Sequence, residues 1–182
     1  MTTVLQKIAL VTGGAKRIGR TIALALAQRG WDIVVHYGQS QEEAASTVRD
    51  IEALGRRAIA LQCDLSDENA VKSLLSRASQ TFGAYAVPIS CVVNNASLFD
   101  YDSTEDFSVA RLDAHMHANL AAPILLAQSL HAMTPEGSQA VVVNLLDQKL
   151  FNLNPDFLSY TLSKAALQTA TTMLAQALAP KV

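Results

Sequence analysis

TGGAKRIG, at residues 12–19, lies between two segments with different apolar patterns. Residues 8–11 before it are continuously apolar, as in a buried strand, and apolar residues at helical spacing follow it as far as Gly30. Small residues in such a turn let backbone N–H groups approach a pyrophosphate, and the helix N-terminus contributes partial positive charge. The stretch therefore predicts a phosphate-binding turn. Its predicted binding residues are Gly13, Ala15, Lys16, Arg17, Ile18 and Gly19.

The composition limits the classes of protein to consider. A chain of 182 residues is long enough for one domain with a sizeable core. The net charge of −2 gives no electrostatic surface for nucleic acid, and no apolar run reaches the length of a membrane span. Strand-like sequence begins too early to leave room for a signal peptide. Cys63 and Cys91 follow or end apolar segments, so we expect buried, reduced thiols in a cytoplasmic protein.

Short apolar segments rich in Val and Ile alternate with helical patterns along the whole chain. The predicted strands are 8–11, 32–37, 58–62, 89–94 and 140–146. The second helix follows a capping box at 40–43, and Ser66 is the predicted cap of the third. Two longer helices are predicted at about 106–130 and 156–179. This order predicts an α/β fold with a Rossmann-type, doubly wound parallel sheet, whose ligands bind at the carboxyl ends of the strands.

The residues after the second strand indicate which dinucleotide the turn binds. NAD-binding sheets usually carry Asp or Glu there, to accept hydrogen bonds from the adenosine ribose. Residues 36–40 contain no carboxylate. Instead His36, Ser40, Lys16 and Arg17 offer donors and positive charge, which suit the additional phosphate of NADP(H). We therefore expect NADPH/NADP as the cofactor. No metal is expected, because His115 and His117 are spaced so that their side chains diverge on a helix.

Tyr160 and Lys164 form the clearest chemical pair in the sequence. At positions i and i+4 near the start of the last predicted helix, they lie on one face. A nearby ammonium favours the phenolate, so we expect Lys164 to lower the pKa of Tyr160. Tyr160 could then pass a proton to the substrate atom next to the one that receives hydride. Lys164 could also hold the hydroxyl groups of the nicotinamide ribose.

These motifs, in this order, resemble the short-chain dehydrogenase/reductase family over essentially the whole chain. Further matching positions are Asp64-Leu65 after the third strand, the sequence NNAS at 94–97, and Asn119 in the long helix. Asp147 stands where the family usually has a catalytic serine, thirteen positions before the tyrosine. Together with Lys16-Arg17, His36-Tyr37 and Phe99, this resembles the pteridine reductase branch, which includes bacterial dihydromonapterin reductases.

The resemblance implies roles for individual residues. It implies cofactor contacts from the residues after the second, third and fourth strands and from the last helix: Tyr37, Asp64, Leu65, Asn95, Ala96, Ser97 and Lys164. It implies a pterin site in which Phe99 stacks on the ring, with further substrate contacts from Arg17, Ser97, Asp147 and Tyr160. It also implies a catalytic set of Asn119, Asp147, Tyr160 and Lys164, in which Asn119 holds a water of the proton relay.

The family resemblance leaves three functions open for this sequence. The first is an NADPH-dependent reductase of a ring C=N bond in a pterin or folate. Such a reaction needs a proton at nitrogen, which a set of Asp147, Tyr160 and Lys164 could supply. The second is a carbonyl or 3-oxoacyl reductase. The third is a truncated nucleotide-binding remnant without catalysis, because the chain ends at Lys181-Val182, where the family's sixth strand begins. We therefore expect the domain to be C-terminally incomplete, with the fifth strand exposed at an edge.

The resemblance also implies an assembly. Relatives pair their two long helices across two-fold axes to form a homotetramer. The apolar residues Leu112, Met116, Leu120 and Ile124 of the first long helix could serve that interface, or could simply belong to the core of the monomer.

Overall fold

A computed structural model of the chain describes residues 7–83 and 88–182. Its strands form one parallel sheet in the order β3-β2-β1-β4-β5. They are β1 Lys7–Val11, β2 Trp31–Tyr37, β3 Ala58–Gln62, β4 Ile89–Asn94 and β5 Val141–Asn144. The predicted α/β class and Rossmann-type topology are confirmed. The order reverses between β1 and β4, and the crevice beyond their carboxyl ends is where such sheets bind ligands.

In the described part of the chain, six α-helices connect and cover the strands. They are α1 Arg17–Gln28, α2 Gln41–Ala53, α3 Glu68–Phe82, α4 Val109–Met116, α5 Ala122–Met133 and α6 Leu158–Leu178. A 3-10 turn, Gln148–Phe151, precedes α6. The single helix predicted at 106–130 is in fact α4 and α5 joined by a π-helical turn, His117–Ala121. A turn of this kind inserts a residue into the helix, and it contains Asn119.

The sheet separates two apolar clusters. One contains side chains of α3 and α5, including Leu74, Leu75 and Leu126, against residues of β1 and β4. The other contains small side chains of α1 and α2, including Ala23 and Ala44, against the opposite faces of β1 and β2. The strands are therefore apolar on both faces, which explains their continuous hydrophobic sequence.

Two predicted helix caps are not formed as expected. Ser40 precedes α2, but its side chain makes no capping hydrogen bond. Asp67, not Ser66, caps α3, because its carboxylate accepts hydrogen bonds from the N–H groups of Asn69 and Ala70. Ser66 instead donates its main-chain N–H and its hydroxyl to Asp64. Both serines lie near the correct boundary, but α2 has no side-chain cap and Asp67 supplies that of α3.

β5 lies at one edge of the described sheet, as expected, and is shorter than the predicted segment 140–146. Val141 and Val143 on this strand are 47% and 44% exposed. An apolar groove of about 230 Å³ runs between β5 and the C-terminal half of α6, where Leu174 and Leu178 line it. Within residues 7–83 and 88–182, no helix has the length and apolarity that crossing a membrane requires.

Candidate active site

The glycine turn after β1 approaches its surroundings so closely that a larger residue would not fit. Gly13 has a φ of +61°, in the left-handed region that favours glycine. A Cβ atom on Gly19 would collide with the main-chain carbonyl of Gly13 and lie 2.5 Å from Nδ2 of Asn95. α1 begins at Arg17, and Lys16 before it makes no side-chain capping bond. The first N–H groups of α1 therefore remain suited to an anion, as a phosphate-binding turn requires.

His36 holds the glycine turn through a hydrogen bond, and its ring does not carry a positive charge. Its Nδ1 atom accepts a 3.1 Å hydrogen bond from Gly13 N, which leaves Nε2 to donate to the carbonyl of Cys63 at 3.0 Å. Burial lowers the pKa of His36 to about 4, so the ring is neutral at pH 7. His36 therefore offers no positive charge to a phosphate, while its contact with the cofactor stays a prediction. The ring instead links the glycine turn to the end of β3.

Thr12 is a positioning residue that sequence reasoning did not select. Its hydroxyl accepts hydrogen bonds of 3.0 Å from both Asn95 N and Ala96 N, and donates to the carbonyl of Val93. The Asn95 amide in turn donates to the carbonyls of Thr12 and Gly13. Asn95, predicted to contact the cofactor, thus uses its side chain to join the loops after β1 and β4. These bonds link the two sides of the ligand crevice.

A cleft of about 500 Å³ opens at the carboxyl ends of the strands. Six predicted cofactor residues line it: Gly13, His36, Asp64, Leu65, Ala96 and Ser97. Gln39, Gln62, Leu98 and Ala118 line it as well, although the sequence analysis did not select them. The Asp64 carboxylate accepts hydrogen bonds from Ser66, and these lower its pKa. The cleft therefore carries negative charge on the side of β3.

The two predicted phosphate-binding cations lie at the start of α1. Lys16 and Arg17 are exposed, as is Ile18. Arg17 has a φ of +55°, a conformation that L-residues adopt at an energetic cost, which indicates that the turn imposes it. Tyr37 ends β2 and Ser40 precedes α2, both half-buried at the same end of the sheet. These positions leave the cations free to meet an anion from solvent.

Asp147 and Tyr160 are in direct contact. The Tyr160 hydroxyl donates a 2.6 Å hydrogen bond to Oδ2 of Asp147, while Oδ1 accepts from Lys149 N at 2.8 Å. Burial, together with the adjacent carboxylate, raises the pKa of Tyr160. The hydrogen bond from Tyr160 lowers the pKa of Asp147. The expectation that the tyrosine pKa is lowered is therefore wrong in this structure, because burial and the adjacent carboxylate of Asp147 both favour the protonated phenol.

Lys164 is buried beside the tyrosine. Its Nζ atom donates a 2.8 Å hydrogen bond to the carbonyl of Leu145 and lies 5.8 Å from the centroid of the Tyr160 ring. Burial lowers the pKa of Lys164, and the charge of Asp147 opposes that effect. The i, i+4 spacing places the pair on one face of α6, as predicted.

Asn119 connects the loop after β4 to α6. Its Oδ1 accepts hydrogen bonds from Leu98 N at 2.7 Å and from Ser97 Oγ at 3.2 Å. Its Nδ2 donates to the carbonyl of Leu98 and to Ser163 Oγ. All of these bonds come from one side chain in the π-helical turn. The Asn119 side chain is therefore bonded to protein groups, and Ser163, one residue before Lys164, is a further positioning residue.

Phe99 lies against Tyr160 with more than half of its surface exposed. Its ring stacks on Phe157, with centroids 4.3 Å apart and planes at 6°. It also contacts Tyr160 in an edge-on arrangement, with centroids 4.6 Å apart. Phe99 is 53% exposed. An aromatic surface thus adjoins the Tyr160–Asp147 pair, as the predicted stacking role requires, and Phe157 already covers one of its faces.

Comparison with known proteins finds one family. The family model described as short chain dehydrogenase matches residues 7–182. Among curated relatives, an uncharacterized oxidoreductase of Escherichia coli (strain K12), YgfF, is 33% identical over 172 residues, which are 92% of this chain and 68% of that protein. The chain spans about two thirds of the length of the curated relatives it matches.

Solved structures of similar fold include reductases with different substrates. FolM alternative dihydrofolate reductase 1 from Brucella suis, crystallised with NADP, is 40% identical, with a TM-score of 0.88 over 97% of this chain and 71% of its own. The promiscuous reductase LugOII, which catalyses keto-reduction at C1 during lugdunomycin biosynthesis, is 31% identical. Its TM-score is 0.89 over 100% of this chain and 75% of its own.

Proposed function

The chain belongs to the short-chain dehydrogenase family, and from that premise we propose that it is an NADPH-dependent reductase of a ring C=N bond in a pterin or folate. The observation that carries the proposal is the contact between Tyr160 and Asp147, at the position where the sequence resemblance places a serine in ordinary carbonyl reductases. A carboxylate at this position suits proton delivery to a ring nitrogen better than polarisation of a carbonyl.

The glycine turn and the cleft beside it are the proposed dinucleotide site. The close approach of Gly19 to Gly13 leaves no room for a side chain there, and no side chain at the N-cap occupies the first N–H groups of α1. Lys16 and Arg17 would hold the phosphates, Asp64 and Leu65 would line the adenosine side, and Ala96 and Ser97 would line the cleft on the side of β4. The complexes of FolM and of a Burkholderia cenocepacia short chain dehydrogenase with NADP support this choice of cofactor.

The residues around Tyr160 would supply the proton. When bound, the nicotinamide supplies hydride to the ring carbon. Tyr160, whose raised pKa keeps it protonated, would donate its hydroxyl proton to the ring nitrogen. This leaves a phenolate, which the nearby ammonium of Lys164 would stabilise. Asp147 would accept a hydrogen bond from a second ring N–H and so orient the substrate.

The exposed part of Phe99 is the proposed surface for the substrate ring. Flat heteroaromatic rings stack on aromatic side chains at about the separation that Phe99 and Phe157 show here. Arg17, at the start of α1, and Ser97, in the loop after β4, would contact the polar edge of the ring. The substrate would therefore lie between the Phe99 ring and the cofactor, within reach of Tyr160.

A carbonyl or 3-oxoacyl reductase is the second candidate. Two similar proteins favour it. One is LugOII, which catalyses a keto-reduction, and the other is an NADPH-dependent aldehyde reductase-like protein from Arabidopsis thaliana. Steady-state oxidation of NADPH against dihydropterin, dihydrofolate and simple ketones separates the candidates. Turnover of dihydropterin or dihydrofolate well above that of every ketone supports the proposal. Preference for ketones supports the second candidate, and NADPH binding without any turnover supports a non-catalytic nucleotide-binding remnant.

We also propose a homotetramer built through the helices α4–α5 and α6. The four apolar residues of the expected stripe, Leu112, Met116, Leu120 and Ile124, are all only partly buried within one chain. Their remaining apolar surface is available for a second copy. Light scattering that detects only monomer at micromolar concentration would contradict this assembly.

A reducing compartment such as the cytoplasm suits the two free, buried thiols, Cys63 and Cys91.

A further inference from the structure

We propose that Asp102 is a positioning residue for Tyr160: its buried carboxylate holds the first turn of α6 and thereby sets the place of the tyrosine hydroxyl opposite Asp147. Asp102 lies in the loop after β4 and is 0% exposed. Its effect on turnover rests on the proposed function, whereas its effect on the ionisation of Tyr160 does not.

Asp102 makes four hydrogen bonds to the start of α6. Its carboxylate oxygens accept from Ser159 N at 3.0 and 3.2 Å, and Oδ2 also accepts from the Ser159 hydroxyl. Its main-chain carbonyl accepts from Leu158 N at 3.3 Å. Leu158 and Ser159 are the first two residues of α6, and Tyr160 is the third. A residue 57 positions earlier in the chain therefore satisfies the N–H groups of the turn that contains Tyr160.

α6 lacks the local features that normally fix a helix N-terminus. Phe157, at the N-cap position, makes no side-chain capping bond and has a φ of +56°. The first turn of α6 contains no acidic residue. Asp102 supplies both missing elements from another segment, since it provides hydrogen-bond acceptors and a negative charge near the positive end of the helix dipole. Without it, the first turn would lose the bonds that fix its position.

The loop that carries Asp102 also contacts the tyrosine directly. Phe99 stacks on Phe157 and meets the edge of Tyr160, and Tyr101 contacts Phe157 with centroids 5.2 Å apart. Asp147, on the other side of the bond to Tyr160, is held separately by Lys149 N. The two partners of the 2.6 Å hydrogen bond are thus anchored by different groups, Asp147 by Lys149 N in the 3-10 turn and Tyr160 through the bonds of Asp102 to the start of α6.

A purely structural role for Asp102 would have a different consequence. Removing a buried, hydrogen-bonded carboxylate lowers the stability of any fold, so stability does not distinguish the two roles. Displacement of Tyr160 from Asp147, however, would weaken the hydrogen bond that favours the phenol. Burial and Asp147 both raise the pKa of Tyr160. Displacement from Asp147 would remove the second of these effects and leave Lys164 beside the ring, so the pKa would fall.

The test compares Asp102→Ala and Asp102→Asn with Asp32→Asn. Asp32 is a suitable control because it too is a buried carboxylate, paired with Arg56 and Arg57 at the opposite ends of the strands. Ultraviolet difference titration, referenced to Tyr160→Phe, follows the ionisation of Tyr160 in the full chain without cofactor or substrate. Steady-state assays then give kcat and the KM for NADPH.

Asp102→Ala is expected to lower the pKa of Tyr160 and to reduce kcat by about tenfold or more, as small displacements of catalytic groups do. The KM for NADPH should change by less than about twofold, since the contacts that bind NADPH equally in the ground state and the transition state are unaffected. Asp102→Asn should recover part of both effects, because its carboxamide oxygen still accepts from Ser159 N. Asp32→Asn should lose stability without changing either readout.

The proposal is overturned if Asp102→Ala loses as much stability as Asp32→Asn but keeps the parent's tyrosine ionisation. If Asp102→Ala does not fold, Ser159→Ala carries the test, because it removes one bond to Asp102 and leaves the main-chain bonds in place. Ser159→Ala should also lower the pKa of Tyr160. An unchanged pKa of Tyr160 in this variant would overturn the proposal. If the parent chain turns over no substrate, the proposed function fails, while the titration still decides the role of Asp102.

Discussion

The Tyr160 hydroxyl donates a hydrogen bond of 2.6 Å to Oδ2 of Asp147, and this bond holds the phenol in its protonated form. A general acid must carry its proton when the substrate arrives, and Tyr160 does so here. Donation then requires that its hydrogen bond to Asp147 is exchanged for one to the substrate and that its pKa falls toward the working pH. The same bond lowers the pKa of Asp147, which keeps the carboxylate ionised and able to accept a hydrogen bond from a substrate N–H.

Replacing the tyrosine tests its role as the proton donor. Tyr160→Phe removes the hydroxyl and leaves the ring that contacts Phe99 in place. Turnover should fall by on the order of 10²–10⁴, the usual loss when a general acid is removed. The dissociation constant of NADPH, measured by fluorescence titration, should hardly change. A variant that keeps turnover within about threefold of the parent would exclude Tyr160 as the donor.

The choice of cofactor is expected to depend on Arg17. NADPH should bind at least about tenfold more tightly than NADH, which corresponds to about 1.4 kcal/mol. Arg17→Ala should narrow this difference, because a charge-assisted contact to phosphate is lost. Arg29→Ala is the matched control, since Arg29 lies at the other end of α1. Calorimetry that gives equal affinities for the two cofactors in the parent chain would contradict the prediction.

His36 should make the stability depend on pH. Its pKa of about 4 in the folded chain lies below the ordinary value of 6.5, so the unfolded chain takes up the proton first as the pH falls. The contribution of the neutral ring is therefore complete above pH 6.5 and is lost progressively down to pH 4. The total loss is about 3 kcal/mol.

The variant His36→Gln isolates this contribution. A glutamine amide can accept from Gly13 N and donate to the carbonyl of Cys63, but it does not titrate. Urea unfolding of parent and variant at several pH values between 7 and 4 should give curves of stability against pH that diverge as the pH falls. Parallel curves would show that the ring is not buried in the neutral form.

Gly19→Ala tests how closely the glycine turn is packed. The added Cβ atom would collide with the carbonyl of Gly13, which is backbone and cannot rotate away. The free energy of unfolding should fall by at least about 2 kcal/mol, the usual scale of overpacking. Gly38→Ala is the control, because the added Cβ atom would meet nothing within 4 Å. The stability of this variant should stay within about 0.5 kcal/mol of that of the parent chain. Equal stabilities of the two variants would mean that the turn can open.

Much of the fold could be predicted from the sequence, because the strands are apolar on both faces and the glycine turn marks the first crossover. The bounds of β3 and β4 agree with the predicted segments, and those of β1 and β2 differ by one residue. β5 is shorter than predicted, because only Val141–Asn144 pairs with β4. The cap of α3 was assigned to Ser66 because serine is a common N-cap, whereas Asp67 is one residue closer to the helix.

The electrostatics of the site depend on contacts that spacing does not reveal. The i, i+4 spacing of Tyr160 and Lys164 indicated a lowered tyrosine pKa, but the carboxylate of Asp147 lies closer to the hydroxyl. The position of His36 after β2 suggests a donor to phosphate, but both of its ring nitrogens are bonded to main-chain groups, of Gly13 and Cys63. Nothing in the sequence around Asp102 indicates its contact with α6, because the two segments are brought together only by the tertiary fold.

The substrate class is tested most directly by Asp147→Ser. This variant replaces the carboxylate with the serine that the family usually carries at the position, and it leaves Tyr160 and Lys164 unchanged. Steady-state rates with dihydropterin and with a simple ketone are measured for parent and variant at saturating NADPH. We expect the dihydropterin rate to fall by on the order of tenfold or more, while the ketone rate is maintained or rises. A serine variant that reduces dihydropterin as fast as the parent would show that Asp147 has no part in the reaction, and the pterin assignment would be wrong.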